Sequence, residues 1–338
     1  MNLLKKTLED FQNRVPVDRD TAGRMLDALI SESDERLIAD VLTAWNDKGI
    51  EDEEIFSIAQ IMRERCLSVY SSHRNLIDLV GTGGSRAKTF NVSTAAAFVV
   101  AGAGFPVAKH GNKAATSSTG SADVLEKLGL STSGELTPER SLKEFGICFM
   151  FAPNHHRLSP VLGKVRRGLG FPTIFNCVGP LSNPAAAQNQ LIGVWAKHMV
   201  PKMAGALAQL GTAKSWIVHG GDGLDEITLS GLTHVAEVEG STIREFEIRP
   251  EDFGFPAENV DRLRADSPAA SAKFIENVLC RESRDTIARR IVTMNAAAAI
   301  CLVDESLTLK GGVKIAAESI ESGSAFEKLS QLRDASRI

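Results

Sequence analysis

The sequence predicts an α/β protein with a small N-terminal helical domain over residues 1–70. A large α/β domain over 71–338 follows, with a central, mostly parallel sheet flanked by helices. Three observations predict this. Up to about residue 70, apolar residues recur only at helical spacing. From about Asn75, short apolar runs alternate with longer helical ones, the pattern of parallel strands joined by crossover helices. Two late apolar runs joined through Glu239-Gly240-Ser241 predict an antiparallel hairpin at the sheet edge.

The elements follow in order. Leu3, Leu4, Leu8 and Phe11 share a helical face, as do Met25, Leu26 and Ile30. Ser33 is placed to cap a helix carrying Leu37, Ile38, Val41, Leu42 and Trp45, which Gly49 ends. Asp52 begins another, with Ile55, Ile58, Ala59, Ile61 and Met62 inward and its charged residues on a solvated face. Candidate strands are 76–80, 106–109, 147–151, 172–176, 190–195, 214–219, 234–238 and 243–248. Candidate helices are 93–103, 121–129, 140–145, 159–169, 199–210, 269–279 and 283–303. The tail after Gly311 reads as two amphipathic helices.

Composition narrows the function. Of 338 residues, 43% are apolar and 24% charged, enough for a sizeable core. A net charge of -4 argues against non-specific nucleic-acid binding, which needs a basic face. The five cysteines (66, 148, 177, 280, 301) are scattered and never spaced CxxC, so neither a zinc site nor a disulfide framework is expected. The N-terminus has no apolar signal core, and the longest small-apolar run, 95–105, is too short to span a bilayer. A soluble, cytoplasmic protein is expected, with no membrane partner.

Chemistry concentrates between Asp78 and Asp123. A strand, 76–80, runs into Gly81-Thr82-Gly83-Gly84, and Asn91-Val92-Ser93-Thr94 then opens a small-residue helix. Glycines let backbone N–H groups approach phosphate oxygens, and a helix N-terminus adds its dipole. The turn is neither GxGxxG nor GxxxxGK[ST], so a dinucleotide fingerprint and a P-loop are both disfavoured. Alternatively it is a plain tight turn, with Ser93 or Thr94 only capping the helix. Lys109-His110-Gly111-Asn112 ends a strand, where α/β sheets present ligand sites. Thr116, Ser117, Ser118, Thr119 and Ser121 follow; Ser121 could equally be a cap. Asn154-His155-His156 suits the lining of a planar substrate better than a metal, since adjacent histidines diverge on a regular element. Arg166 or Arg167 could hold a carboxylate, the other being solvated. Asp222, Asp225 and Glu226, in a glycine-rich strand end, suit either Mg²⁺ or an acidic turn.

Seven segments in order resemble the anthranilate phosphoribosyltransferases over nearly the whole chain: GTGG…TFNVST, KHGN…GSADVLEKLG, FAPNHH…VRRGLG, TIFNCVGPLSNPA, VHGGDGLDE and RPEDFGF, after a helical start. The resemblance implies a homodimer formed through the helical domain. It also implies that residues near 168–188 return to that domain, with the substrates at a hinge. It places 5-phosphoribosyl 1-diphosphate on Gly81, Gly84, Ser85, Thr89, Asn91, Ser93, Thr94, Lys109, Gly111, Asn112, Lys113, Ser117 and Ser121. Anthranilate falls to Gly81, His110, Asn112, His156 and Arg166, with Arg166 on its carboxylate. Mg²⁺ falls to Ser93, Asp225 and Glu226, and no residue is assigned as general base.

The chain departs from the family pattern in places. Ser85 stands where the turn is usually GTGGD, Lys113 replaces an arginine, and Ser118 a lysine. Arg86 and Lys88 add cations to the turn, and Arg157-Leu158-Ser159 follows the histidine pair. Loss of the aspartate is expected to weaken one Mg²⁺ contact, and Arg86 or Lys88 to make up for lost cations. Two other readings stay open: a relative using a different aromatic or heterocyclic acceptor, and a nucleic-acid-binding paralogue without catalysis.

Overall fold

A computed structural model describes residues 2–85, 87–113, 120–131, 136–280 and 286–336. The N-terminal part is four helices: α1 (Leu3–Gln12), α2 (Arg19–Ser31), α3 (Glu35–Lys48) and α4 (Asp52–Arg65). Strands and helices then alternate: β1 (Ile77–Gly81), α5 (Val92–Gly102), β2 (Val107–Gly111), α6 (Ser121–Lys127), α7 (Pro138–Phe145) and β3 (Ile147–Phe151). Three helices come next, α8 (Ala152–His156), α9 (Pro160–Leu169) and α10 (Ile174–Val178), before β4 (Asn189–Gly193), α11 (Met199–Leu210) and β5 (Lys214–Gly220). The hairpin is β6 (Thr233–Glu239) and β7 (Thr242–Ile248). Helices α12 (Pro268–Leu279), α13 (Ile287–Cys301), α14 (Leu309–Glu321) and α15 (Ser324–Ala335) close the chain.

The sheet order is β3-β2-β1-β4-β5-β6-β7. Strands β1 to β5 run parallel, and β6 and β7 are antiparallel at one edge. The predicted fold class and the edge hairpin are therefore both present. Each face of the sheet is covered, as parallel sheets require. Ile77, Leu79, Val107, Leu191 and Val218 pack under α5 and α12–α15. Val80, Ile192, Ile217 and Val238 face the other way, into one apolar cluster with α1–α4 and α9–α11.

Three readings of the sequence change. The apolar run at 172–176 is the start of α10: the Asn176 carboxamide accepts from the Thr173 N–H (3.0 Å) and closes a first helical turn. A short apolar run does not distinguish a strand from a buried helix. The α3 cap is Asp34, one residue past Ser33; its carboxylate accepts from the N–H groups of Arg36 and Leu37 and suits the positive end of the helix dipole. On α4, Glu54 is buried and not on the solvated face with Glu53. It accepts from the Val17 N–H (2.9 Å), Trp45 Nε1 (3.0 Å), Lys48 Nζ (2.9 Å) and the Glu51 N–H (3.0 Å), tying three parts of the helical segment to one carboxylate.

The parallel ladder between β1 and β2 is short. It has one register pair, Ile77 with Val107, whereas β1–β4 and β2–β3 have five each. Beyond that pair the two strands part at their carboxyl ends.

Replacing Glu54 by Gln puts an NH2 group against donors and leaves Lys48 buried without its anion. Glu54→Gln is expected to cost about 3 kcal/mol of stability, read from urea unfolding midpoints.

Candidate active site

A cleft of about 230 Å³ opens at the carboxyl ends of β1 and β2, where α/β sheets bind ligands. Its first wall is the glycine turn. Gly83 and Gly84 have φ of 64° and 80°, the left-handed region that glycine enters without strain. A Cβ on Gly84 would come 2.5 Å from Pro172 Cγ, so the turn rests on the segment between α9 and α10. The Asn176 amide donates to the Thr82 carbonyl at 2.9 Å and fixes the same turn from α10.

The chain order reverses between β1 and β4, and the turn carrying Asp225 and Glu226 packs against the paired ends of these two strands. Gly81 and Gly193 make room for it. A Cβ on Gly81 would lie 2.9 Å from Asp225 Oδ2, and one on Gly193 would overlap the Asp225 carbonyl. The Gly83 N–H donates to Asp225 Oδ2 at 3.1 Å, and the Ser93 N–H, in the first turn of α5, donates to Glu226 Oε1 at 3.2 Å. Ser85 reaches the same turn: its hydroxyl lies 2.7 Å from the Gly223 carbonyl and 2.6 Å from that of Ala87. Lys109 Nζ donates to Ser93 Oγ (3.2 Å) and to the Leu79 carbonyl.

Burial sets the electrostatics. It raises Asp225 above the usual carboxylate range, and raises Glu226 further because Asp225 is beside it, with Lys109 opposing. It lowers Lys109, with Asp78 and Glu226 opposing. Two carboxylates and one ammonium thus share a dry pocket, and an added cation is favoured there.

The opposite wall is neutral apart from one guanidinium. His110 Nδ1 lies 3.1 Å from the Gly179 carbonyl, and His110 Nε2 lies 3.2 Å from His156 Nε2. Burial holds His110 well below its ordinary range and His156 down at about 4, so both rings are neutral at pH 7. Arg166 lies over the Phe175 ring, 4.9 Å from its centroid. Its buried Nε has no hydrogen-bond partner among the described residues. Burial, then Arg167, lowers it to about 10, which leaves it charged.

Most of the expected residues meet in this cleft: Gly81, Gly84, Ser85, Thr89, Asn91, Ser93, Lys109, His110, Gly111, Asn112, Lys113, Ser121, Arg166, Asp225 and Glu226. Thr94 and His156 are not on its wall; Thr94 is buried within α5 and His156 stands behind His110. Asn91, not Ser93 or Thr94, is the α5 cap residue, and its side chain is held by the Ser271 hydroxyl at 2.8 Å. Lys113 is half exposed at the mouth and pairs with Glu126 at 3.1 Å. Ser117, with Thr116, Ser118, Thr119 and Arg86, lies outside the described residues. Phe175, Asn176, Gly179 and Pro180 also line the cleft and had received no role. Reading 172–176 as a strand hid them; the helical spacing of 175, 176 and 179 would have found them.

The glycosyl transferase family a/b domain matches residues 73–326. The anthranilate phosphoribosyltransferase of Anaeromyxobacter dehalogenans is 46% identical over 298 residues, 88% of each chain. The chain belongs to the anthranilate phosphoribosyltransferase family. The crystal structure of the Thermus thermophilus anthranilate phosphoribosyltransferase superposes with a TM-score of 0.87 at 32% identity, covering all of both chains. That of the Saccharomyces cerevisiae anthranilate phosphoribosyltransferase in complex with PRPP and Mg gives 0.87 at 27% identity, covering 100% of this chain and 99% of the other. Within the anthranilate phosphoribosyltransferase family, then, Ser85 in this chain ties the glycine turn to the acidic turn.

Because the Asp225 carbonyl fills the space beside Gly193, Gly193→Ala must displace the acidic turn. It is expected to lose about 1–3 kcal/mol by overpacking, measured by chemical denaturation.

Proposed function

We propose that the protein transfers the phosphoribosyl group of 5-phosphoribosyl 1-diphosphate to the amine of anthranilate. The products are diphosphate and N-(5-phosphoribosyl)anthranilate, in tryptophan biosynthesis. One observation carries this reading. A single cleft has glycine-turn and helix N–H groups with a buried lysine at one end, and a buried arginine with a free N–H at the other. The first end suits a polyanion and the second a carboxylate. Family membership supplies the substrates.

The reaction displaces diphosphate from the anomeric carbon through an oxocarbenium-like transition state. Lys109, the N–H groups of Gly83 and Ser93 and the α5 dipole stabilise the negative charge that grows on the departing diphosphate. Asp225, Glu226 and the Ser93 hydroxyl form an all-oxygen set that would hold Mg²⁺. Bound there, Mg²⁺ supplies further neutralisation of the leaving group. Its site also governs the cradle, since Asp225 and Glu226 themselves occupy the Gly83 and Ser93 N–H groups. A phosphate taking those donors would displace the two carboxylates, which a bound cation would then balance. Arg166 holds the anthranilate carboxylate and so aims its amine at the anomeric carbon. Neutral His110 and His156 shape the pocket and exclude water. The amine is uncharged at pH 7, so its proton leaves after the C–N bond forms and no general base is assigned.

We read residues 1–70 with the segment near 168–188 as a small domain, and 71–338 as the large one. Ile174, Phe175, Val178 and Leu181 share an apolar cluster with α2–α4, which supports that division. Dimerisation through the helical domain and a cytoplasmic location complete the reading. No helix among the described residues is long and apolar enough to cross a membrane.

The test incubates the pure protein with phosphoribosyl diphosphate, Mg²⁺ and anthranilate and follows loss of anthranilate fluorescence. Turnover is expected; turnover only with another aromatic acceptor would replace the anthranilate assignment. Arg166→Ala should raise the KM for anthranilate at least about tenfold while changing that for phosphoribosyl diphosphate little. Without divalent cation, Glu226→Ala, which vacates the Ser93 N–H, should bind inorganic diphosphate roughly tenfold more tightly than the wild type, read by calorimetry. Equal affinities would remove the competition between carboxylate and phosphate.

A further inference from the structure

Where β1 and β2 part, side chains take the place of the missing ladder. From the Ile77–Val107 pair, a continued parallel ladder would join the His110 N–H to the Leu79 carbonyl. Instead the His110 N–H donates to Asp78 Oδ1 at 3.1 Å, and the Leu79 carbonyl accepts from Lys109 Nζ. The Ala108 carbonyl accepts from Asn183 Nδ2 at 2.8 Å. The same amide donates to Asp78 Oδ2 at 2.8 Å, and Gln190 Nε2 donates to that oxygen at 3.5 Å and to the Pro180 carbonyl at 3.0 Å. Asp78 is fully buried.

We propose that Asp78 is a positioning residue for both substrates, holding the β1–β2 seam open so that Lys109 and His110 reach the cleft from opposite faces of the sheet. Two features carry the proposal. Asp78 binds the backbone of His110 and, through Asn183 and Gln190, straps the 180–183 segment whose neighbour Gly179 orients the His110 ring. It is also one of two anions facing buried Lys109, the other being Glu226. A carboxylate inside a central strand is costly unless hydrogen-bonded, and here both of its oxygens accept from buried donors. A hydrophobic residue at this position would let the ladder close and would remove the gap that Lys109 spans.

The inference rests on the transferase reading, so turnover by the wild type is measured first; its absence would reject that reading and not this one. In the full-length protein, Asp78→Asn keeps the shape but presents an NH2 group to donors. Folded Asp78→Asn is expected to lose about ten- to hundredfold in kcat/KM for each substrate, with both KM values raised, the factor for one charge-assisted hydrogen bond. Unchanged KM values, with kcat falling only as the folded fraction falls, would overturn the proposal. If Asp78→Asn does not fold, Asn183→Ala decides: it releases the 180–183 strap while leaving the carboxylate beside Lys109. A KM for anthranilate raised at least about fivefold, with that for phosphoribosyl diphosphate within about twofold, supports the proposal. An unchanged KM for anthranilate overturns it.

Discussion

The buried Asp78 carboxylate between β1 and β2 is the constraint on which the rest of the site depends. A parallel sheet normally closes its backbone hydrogen bonds strand to strand and leaves no space between neighbours. Here the ladder stops after one pair, and an anion accepts the backbone N–H that would otherwise be orphaned. Burial pushes Asp78 up to about 6, opposed by Lys109 and by the donors from Asn183, His110 and Gln190. The parted strands give Lys109 a path to Ser93 on one face and place His110 against Gly179 on the other. A second opening lies above the paired ends of β1 and β4, where the missing side chains of Gly81 and Gly193 admit the acidic turn.

These two openings share a charge problem. A cradle of N–H groups and a lysine, left to itself, would hold positive potential in a dry cleft. Asp225 and Glu226 sit on those N–H groups, so the protein supplies its own acceptors there. The result is balanced when a cation and a polyanion enter together, which is how a magnesium diphosphate presents itself. The acceptor end follows the opposite rule. Its rings are neutral, and Arg166 is stacked on Phe175 with its Nε unpaired among the described residues. A guanidinium in such surroundings is suited to a carboxylate.

Much of this was legible in the sequence. The alternation after Asn75 located the described strands to within one or two residues because each is a short apolar run bounded by glycine or a polar residue. Gly81–Gly84 and Ser93, singled out in the sequence, do line one wall of the cleft. The readings that changed share a cause. Thr173 to Asn176 is apolar enough for a strand, and only the Asn176 carboxamide folding back on the Thr173 N–H makes it a helix. Glu54 looked like one more acidic residue on a charged helix until Trp45, Lys48 and Val17 were brought around it.

The sequence by itself determined the order of most elements, the glycine turn at a strand end and the family, because these depend on residue types at short, ordered spacing. The tertiary structure alone decided which polar groups are buried and what they face. Asp78 meets Asn183 across 105 residues and Gly83 meets Asp225 across 142. Separations of that size are set by how strands are ordered in the sheet, and no local pattern records them. The physical reason is that a buried charge is tolerable only with its partner in place, and the fold supplies that partner.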